Sequence, residues 1–328
     1  MTTRNSRRFL HAALLLTAAL TLTAGSCRAA FTLRQAQDEY NAGVKLLTEP
    51  APKISVDAMK FDLDRDARSR FQAALDIIEE GELTSGERPG HLRLSALTLQ
   101  GYAQYALYRL RKDEPPKTKD AHYLSALAAI HLGPEYYKNV DEVKKPLVRR
   151  EDAMLKFLHP LLLMEHVFQT TDADRQKEPG RPFSMAAADK AYKEFVDVLD
   201  ICLALRNSEK GIPKDSPVVA EFVILALQAV QGACEAYSES LVWDARAPVP
   251  ARKKVIEVDI LGRGLTLVRW YISGIEEERP TDSESLPALA PKFTAEHQKV
   301  KTEWLKLRDE VNLLFEPPFR DKVVWEAP

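Results

Sequence analysis

Apolar residues recur every three to four positions through most of this chain, the spacing of one helical face, and Pro, Gly and polar clusters interrupt them about every 30 to 37 residues. The pattern predicts helices over 33–48, 60–82, 91–112, 118–132, 147–169, 184–207, 217–243, 251–279 and 290–316. Two of them show the stripe most clearly. Ala188, Ala191, Tyr192, Phe195, Val198, Leu199, Cys202 and Leu205 share one face. Phe293, His297, Val300, Trp304, Leu307, Val311 and Leu314 alternate steps of four and three, a heptad seam in which His297 reads as a core histidine. The segment 154–168 is apolar nearly all round, which marks a central helix, and Pro160 should kink or restart it near Leu158. Only Lys254 to Leu261 alternates with period two. The fold class is therefore all-α, an antiparallel helical stack.

The polar stretch Thr170 to Pro182 divides the body into an N-terminal helical, repeat-like region, 27–169, and a C-terminal helical region, 183–328. A second gap, Glu276 to Pro291, leads into the closing helix, and the tail beyond Glu316, with Phe319, Val323, Val324 and Trp325, is apolar enough to lie back on the bundle. Composition narrows the partners. With 46 Lys+Arg against 48 Asp+Glu, the chain lacks the basic excess that displaces counterions from a polyphosphate backbone, so nucleic acid is not an expected partner. Thirteen Gly in 328 residues argue against a turn-rich β protein.

The first 26 residues have the layout of an export signal: Arg4, Arg7 and Arg8, then an apolar run from Phe9 to Ala24, then small residues. That run is roughly 16 residues, short of the ~20 that span a bilayer. Ala24-Gly25-Ser26-Cys27 resembles the lipobox of bacterial lipoproteins, with Ala24 where Leu is usual. The resemblance implies lipidation at Cys27 and a body held at a bacterial membrane facing the periplasm; ordinary cleavage, near Ala29, would leave it periplasmic or secreted. Loss of the three Arg takes the formal charge from −2 to −5. No N-x-Ser/Thr sequon marks a eukaryotic ectodomain.

Further along, Tyr40 with Gly43, and Ala67, Phe71 and Ala74 at spacings of four and three, resemble the two helices of a tetratricopeptide repeat. Ala121, Ser125 and Ala128 repeat the second spacing, as do Ala191, Phe195 and Val198. The distance from Gly43 to Ala67 is 24 residues against about 12 in the family. The resemblance implies a degenerate tetratricopeptide-like α-solenoid, beside the plainer reading of an irregular helical bundle. It also implies a concave surface that holds a protein or a ligand.

Chemistry is sparse. The nucleophile-elbow, zinc-protease, phosphate-loop and C-x-x-C signatures are absent, and nothing calls for a cofactor. His159 and His166 share a helical face beside Glu165, with Asp172 and Asp174 beyond, a set that could hold a transition metal but reads more simply as two histidines edging a buried helix. Cys202 and Cys234 both lie on apolar stripes. A hairpin turning near residue 212 separates them by roughly 20 Å, too far for a disulfide, so both read as buried thiols. Tyr102, Tyr105 and Tyr108, joined by Tyr123, Tyr136 and Tyr137, form the densest aromatic cluster, explained either by packing between helices or by a surface that grips a peptide or sugar. The mixed charge runs around 144–152, 252–254 and 276–278 read as solvated faces.

The functional expectation is an exported, non-catalytic binding or scaffold protein of the bacterial envelope. It would present a helical groove at Tyr102, Tyr105, Tyr108, Tyr136 and Tyr137 to an envelope protein, and touch the membrane only through its N-terminal lipid. The alternatives are a solute-binding accessory lipoprotein of an envelope transporter, which would bind a small ligand, and a helical enzyme with scattered site residues.

Overall fold

The computed structural model describes residues 28–48, 56–110, 116–142, 145–175, 183–204, 222–230, 232, 233, 236 and 263. Six helices run Arg28–Thr48 (α1), Val56–Glu80 (α2), Gly90–Leu110 (α3), Pro116–Lys138 (α4), Lys145–Arg175 (α5) and Phe183–Ala204 (α6), followed by a helical stretch at 222–230, and the described residues include no strand. The protein is all-α, a stack of helices. The segment expected to be an export signal, with Cys27, and likewise Cys234, the expected closing helix, the tail, the alternating segment 254–261 and most of the helix expected over 251–279 lie outside the described residues. No described helix is long and apolar enough to cross a membrane.

The chain forms two compact units, Met1–Glu165 and His166–Pro328, the boundary falling within α5. In the first, α1 packs on α2, α3 on α4, and both α1 and α2 reach α3. The α1–α2 hairpin closes on an aromatic pair, Tyr40 and Phe71, with ring centroids 5.3 Å apart. Ala67, Phe71 and Ala74 are all fully buried, so their spacing of four and three is a packing stripe. Gly43 sits where the helices come closest: a β-carbon there would lie 2.9 Å from Phe71 Cε1.

The α2 end shows how the chain turns into α3. The Leu83 amide donates to the Ile78 carbonyl at 3.1 Å and the Glu82 amide to the Glu79 carbonyl at 2.9 Å, the two bonds of a Schellman cap. Leu83 and Ile78 are both buried, completing the apolar contact of that motif. The left-handed position belongs to Glu82, with φ 48°, and not to a glycine. Since a side chain is disfavoured there by steric crowding of Cβ, Glu82→Gly should raise the unfolding free energy by about 1 kcal/mol in urea titrations. A loss of stability would show that the Glu82 side chain offsets its own strain.

Two prolines lie within helices. α5 runs through Pro160 as one helix and does not restart near Leu158. A helix-interior proline costs about 3 kcal/mol, whereas the flanking Leu155, Phe157, Leu158, Leu161 and Leu162 are all buried and each contributes about 1.5–3 kcal/mol. Burial on both sides of the proline outweighs the missing bond. α4 likewise continues through Pro134 to Lys138, beyond its expected end at 132. The far turn is held because Gly133 meets Leu155 and Tyr136 Oη donates to the Thr84 carbonyl at 3.2 Å. α5 also extends into the polar stretch as far as Arg175, because Thr170 to Arg175 contains no Pro or Gly to stop it.

In the second unit, Ala188, Ala191, Phe195, Val198, Leu199 and Cys202 of α6 are buried, as the stripe predicts. Residues 222–230 are buried on every side, the mark of a central helix. A β-carbon on Gly232 would lie 2.5 Å from two carbons of the Phe195 ring. Cys202 is free and buried, and burial pushes its thiol up to about 12.

Candidate functional site

Among the described residues of the first unit, most of the buried polar side chains lie on α3 and α5. Ser95, Tyr102 and Arg109 recur every seven residues on α3, and Glu151, Leu158 and Glu165 recur every seven on α5. Two helices with equal steps can run side by side in one register over several turns. Here they run parallel, joined level by level. The Ser95 side chain hydrogen-bonds Glu151. Tyr102 Oη donates to the Met154 carbonyl at 3.0 Å. Arg109 Nε meets Glu165 Oε2 at 3.0 Å. Gly101 lets the helices approach, since a β-carbon there would lie 2.9 Å from Leu158 Cδ2.

Antiparallel α4 covers this seam. His122 Nδ1 lies 2.6 Å from Gln104 Oε1, which makes that nitrogen the donor. Tyr108 and Tyr123 pack with ring centroids 5.5 Å apart. The side chains of Arg109 and Glu165 keep 7% and 3% of their surface, so their ion pair works at low dielectric. Arg109 Nη1 also lies 3.5 Å from Tyr105 Oη.

Burial in the seam favours the protonated forms of Tyr102, Tyr108 and Glu151, while Glu165 stands as the carboxylate of the ion pair. Burial raises Tyr102 well above the ordinary phenol range, with Tyr40 and Tyr105 adding to the shift. Tyr108 is raised by burial first and by the Glu165 carboxylate second. Burial also raises Glu151, against the opposing pull of Arg150, its own backbone amide and Ser95. At neutral pH both tyrosines keep their protons, Tyr102 as a hydrogen-bond donor, and the seam acts as a lock between helices.

Those shifts carry a pH dependence of definite sign. Tyr102 and Tyr108 hold their protons in the folded state above their ordinary value of 10.0, where the unfolded chain has begun to release them. Their contribution is complete below pH 10 and is lost as pH rises beyond it. Urea midpoints should therefore fall above pH 10, and phenolate absorbance from these two should appear together with unfolding. Tyr108→Phe should make the fall shallower; an unchanged slope would remove Tyr108 from the account.

Of the tyrosines singled out in the sequence, Tyr102, Tyr105 and Tyr108 lie in the core with at most 3% of their surface exposed. A peptide or sugar could not stack on them without parting α3 from its neighbours, which corrects the expectation of a gripping surface there. Tyr136 and Tyr137 are separate from that group and half-buried at the end of α4. The Arg93 guanidinium stands over the Tyr136 ring at 4.2 Å, and Lys145 Nζ lies 6.0 Å from the Tyr137 ring centre. His159 pairs with His131 of α4, their ring centroids 6.5 Å apart; the side chain of His166 lies outside the described residues. Among the described residues no group of three or more His, Cys, Asp or Glu is placed to hold a metal.

The sequence reading missed the Arg109–Glu165 pair and the Ser95–Glu151 bond. Their signal was the shared seven-residue step with a constant offset of 56 positions, visible only once α3 and α5 are known to be neighbours. No protein family, curated protein or solved structure matches this chain.

Proposed function

We propose that this chain is an exported, non-catalytic helical scaffold of the bacterial envelope, lipidated at Cys27 and presenting the end of α4 to a protein partner. The observation that carries the reading is the half-buried Tyr136 and Tyr137 beside Arg93 and Lys145. Tyrosine and arginine combine a flat apolar face with hydrogen-bonding edges, and both are enriched at protein interfaces. Behind them, the locked α3–α5 seam supplies a rigid support, so little order has to be gained on binding. The hairpin packing of Gly43 on Phe71, with Ala67 and Ala74 buried beside it, supports a tetratricopeptide-like scaffold.

Photo-crosslinking in a bacterial host tests the surface. A crosslinker replacing Tyr137 should yield an adduct with another envelope protein, while one replacing exposed Lys190 in α6 should not. Absence of any adduct at position 137 overturns the partner reading. Mass spectrometry of the mature N-terminus tests the anchor: a diacylglyceryl-modified Cys27 supports it, and a free terminus downstream of Cys27 excludes it.

A further inference from the structure

Phe31 is the most exposed large apolar side chain among the described residues, with 64% of its surface open to solvent. It stands in the first turn of α1, which begins at Arg28, one residue after Cys27. The other face of α1, with Leu33, Ala36, Tyr40 and Val44, is buried. Packing within the unit therefore leaves the Phe31 ring outside.

Position in the chain decides what can cover that ring. Four residues separate Phe31 from Cys27, at most about 14 Å of extended chain and about 6 Å along a helix. The headgroup layer on one side of a bilayer is itself about 5–7 Å deep. A diacylglyceryl group on Cys27 holds its glycerol at the inner boundary of that layer, and α1 is already helical at Arg28, so no linker keeps the folded body away from the lipid. Helical side chains lean toward the N-terminus of their helix, which aims the Phe31 ring back toward the anchor. Phe is among the residues by which helices lying at a membrane surface enter the acyl boundary.

The order of side chains along α1 agrees. Its exposed stripe carries Phe31, Arg34, Gln35 and Asp38. At 1.5 Å per residue Arg34 stands about 4.5 Å beyond Phe31 and Asp38 about 10 Å beyond it. Apolar, cationic, neutral and acidic groups follow one another away from Cys27, the order of acyl boundary, anionic phosphate and water. The neighbouring turn limits how far the body can enter. A β-carbon on Gly81 would lie 2.9 Å from Thr32 Cγ2, so exposed Glu79, Glu80 and Glu82 come close to the level of Phe31. Their carboxylates stay in water, and only the ring goes in.

We propose that the Phe31 ring enters the interface of the membrane that holds the Cys27 lipid, seating the first turn of α1 on the bilayer. This contact rests on the lipidation of Cys27 proposed above, and it joins the body itself to the membrane.

The test uses the processed chain, purified from a bacterial host and placed in vesicles of phosphatidylethanolamine and phosphatidylglycerol, with mass spectrometry reading the state of Cys27. A photo-crosslinker replacing Phe31 should form adducts with phospholipid. One replacing exposed Lys45, 14 residues and about 21 Å further along α1, should form none. Phe31→Ala should speed transfer of the chain to acceptor vesicles roughly tenfold, and Phe31→Trp should not, with helical circular dichroism unchanged in both. An unmodified Cys27 overturns the lipidation and this contact with it. With Cys27 lipidated, the contact alone is overturned by equal phospholipid adducts at 31 and 45, by their absence at 31, or by transfer indifferent to Phe31→Ala. An adduct at 31 with protein in place of lipid, whether another protein or a second copy of the chain, overturns it as well.

Discussion

Replacing Glu165 by Ala should lower the unfolding free energy by about 3–5 kcal/mol, the cost of removing one partner from a buried ion pair. The side chain of Arg109 keeps only 7% of its surface, so water cannot replace the lost carboxylate. The Tyr105 hydroxyl, 3.5 Å away, is at the outer limit of a useful hydrogen bond and carries no formal charge. Removing both charges together is a different experiment. Arg109→Met with Glu165→Leu keeps the volume and removes the desolvation penalty of both ions, so it should lie within about 1 kcal/mol of the wild type or be more stable. The contrast between single and double variants is the informative quantity. Urea denaturation of the four proteins gives it directly, and a cost below about 1 kcal/mol for Glu165→Ala would show that the seam is wetter than its burial implies. Against a typical total of 5–15 kcal/mol, the single loss would leave the protein close to unfolding at growth temperature.

The second large effect is expected at Phe71, where substitution by Ala should cost about 3–5 kcal/mol. The ring is fully buried, packs on Tyr40 and occupies the space that Gly43 leaves open. A glycine and an aromatic ring at one crossing form a coupled pair, and the coupling has a sign that can be measured. Gly43→Ala alone places a β-carbon 2.9 Å from Phe71 Cε1 and 3.2 Å from Arg70 Cβ. Overpacking of that kind costs about 1–3 kcal/mol, more than the ~1 kcal/mol that alanine gains over glycine inside a helix. With Phe71→Leu already present the ring is gone, its overlap disappears, only the 3.2 Å approach to Arg70 Cβ stays, and the helical gain remains. Gly43→Ala should then be neutral or stabilising. Additive behaviour across this cycle would mean that α1 and α2 yield to the added methyl instead of holding the ring in place.

Much of the helical layout was legible because a period near 3.6 is a local property. The stripes at Ala67, Phe71 and Ala74 and from Ala188 to Cys202 both proved to be buried faces, and the six helices with full bounds each fall where periodicity placed one. Helix ends were less legible. Pro134 and Pro160 act as breakers in isolation, but in this protein their neighbours are pinned from outside the helix, and the penalty is met by burial that no local window contains. The Tyr cluster shows a second kind of limit. α3 is buried on almost every side, so spacing alone could not say whether Tyr102, Tyr105 and Tyr108 faced a groove or the core. Tyr136 and Tyr137 lie on the half-covered end of α4, and only their neighbours separate the two groups.

The amino-acid sequence by itself determined that the described chain is helical and where the helices run, since backbone hydrogen bonding within a helix needs only residues near in sequence. Tertiary structure decided which faces turn inward: the pairing of Arg109 with Glu165, the interior place of the α3 tyrosines, the continuity of α4 and α5 through their prolines and the outward face of Leu124, Ala128 and Leu132. Each of these depends on groups far apart along the chain that only helix packing brings into contact, and burial and desolvation act on that contact, not on sequence distance.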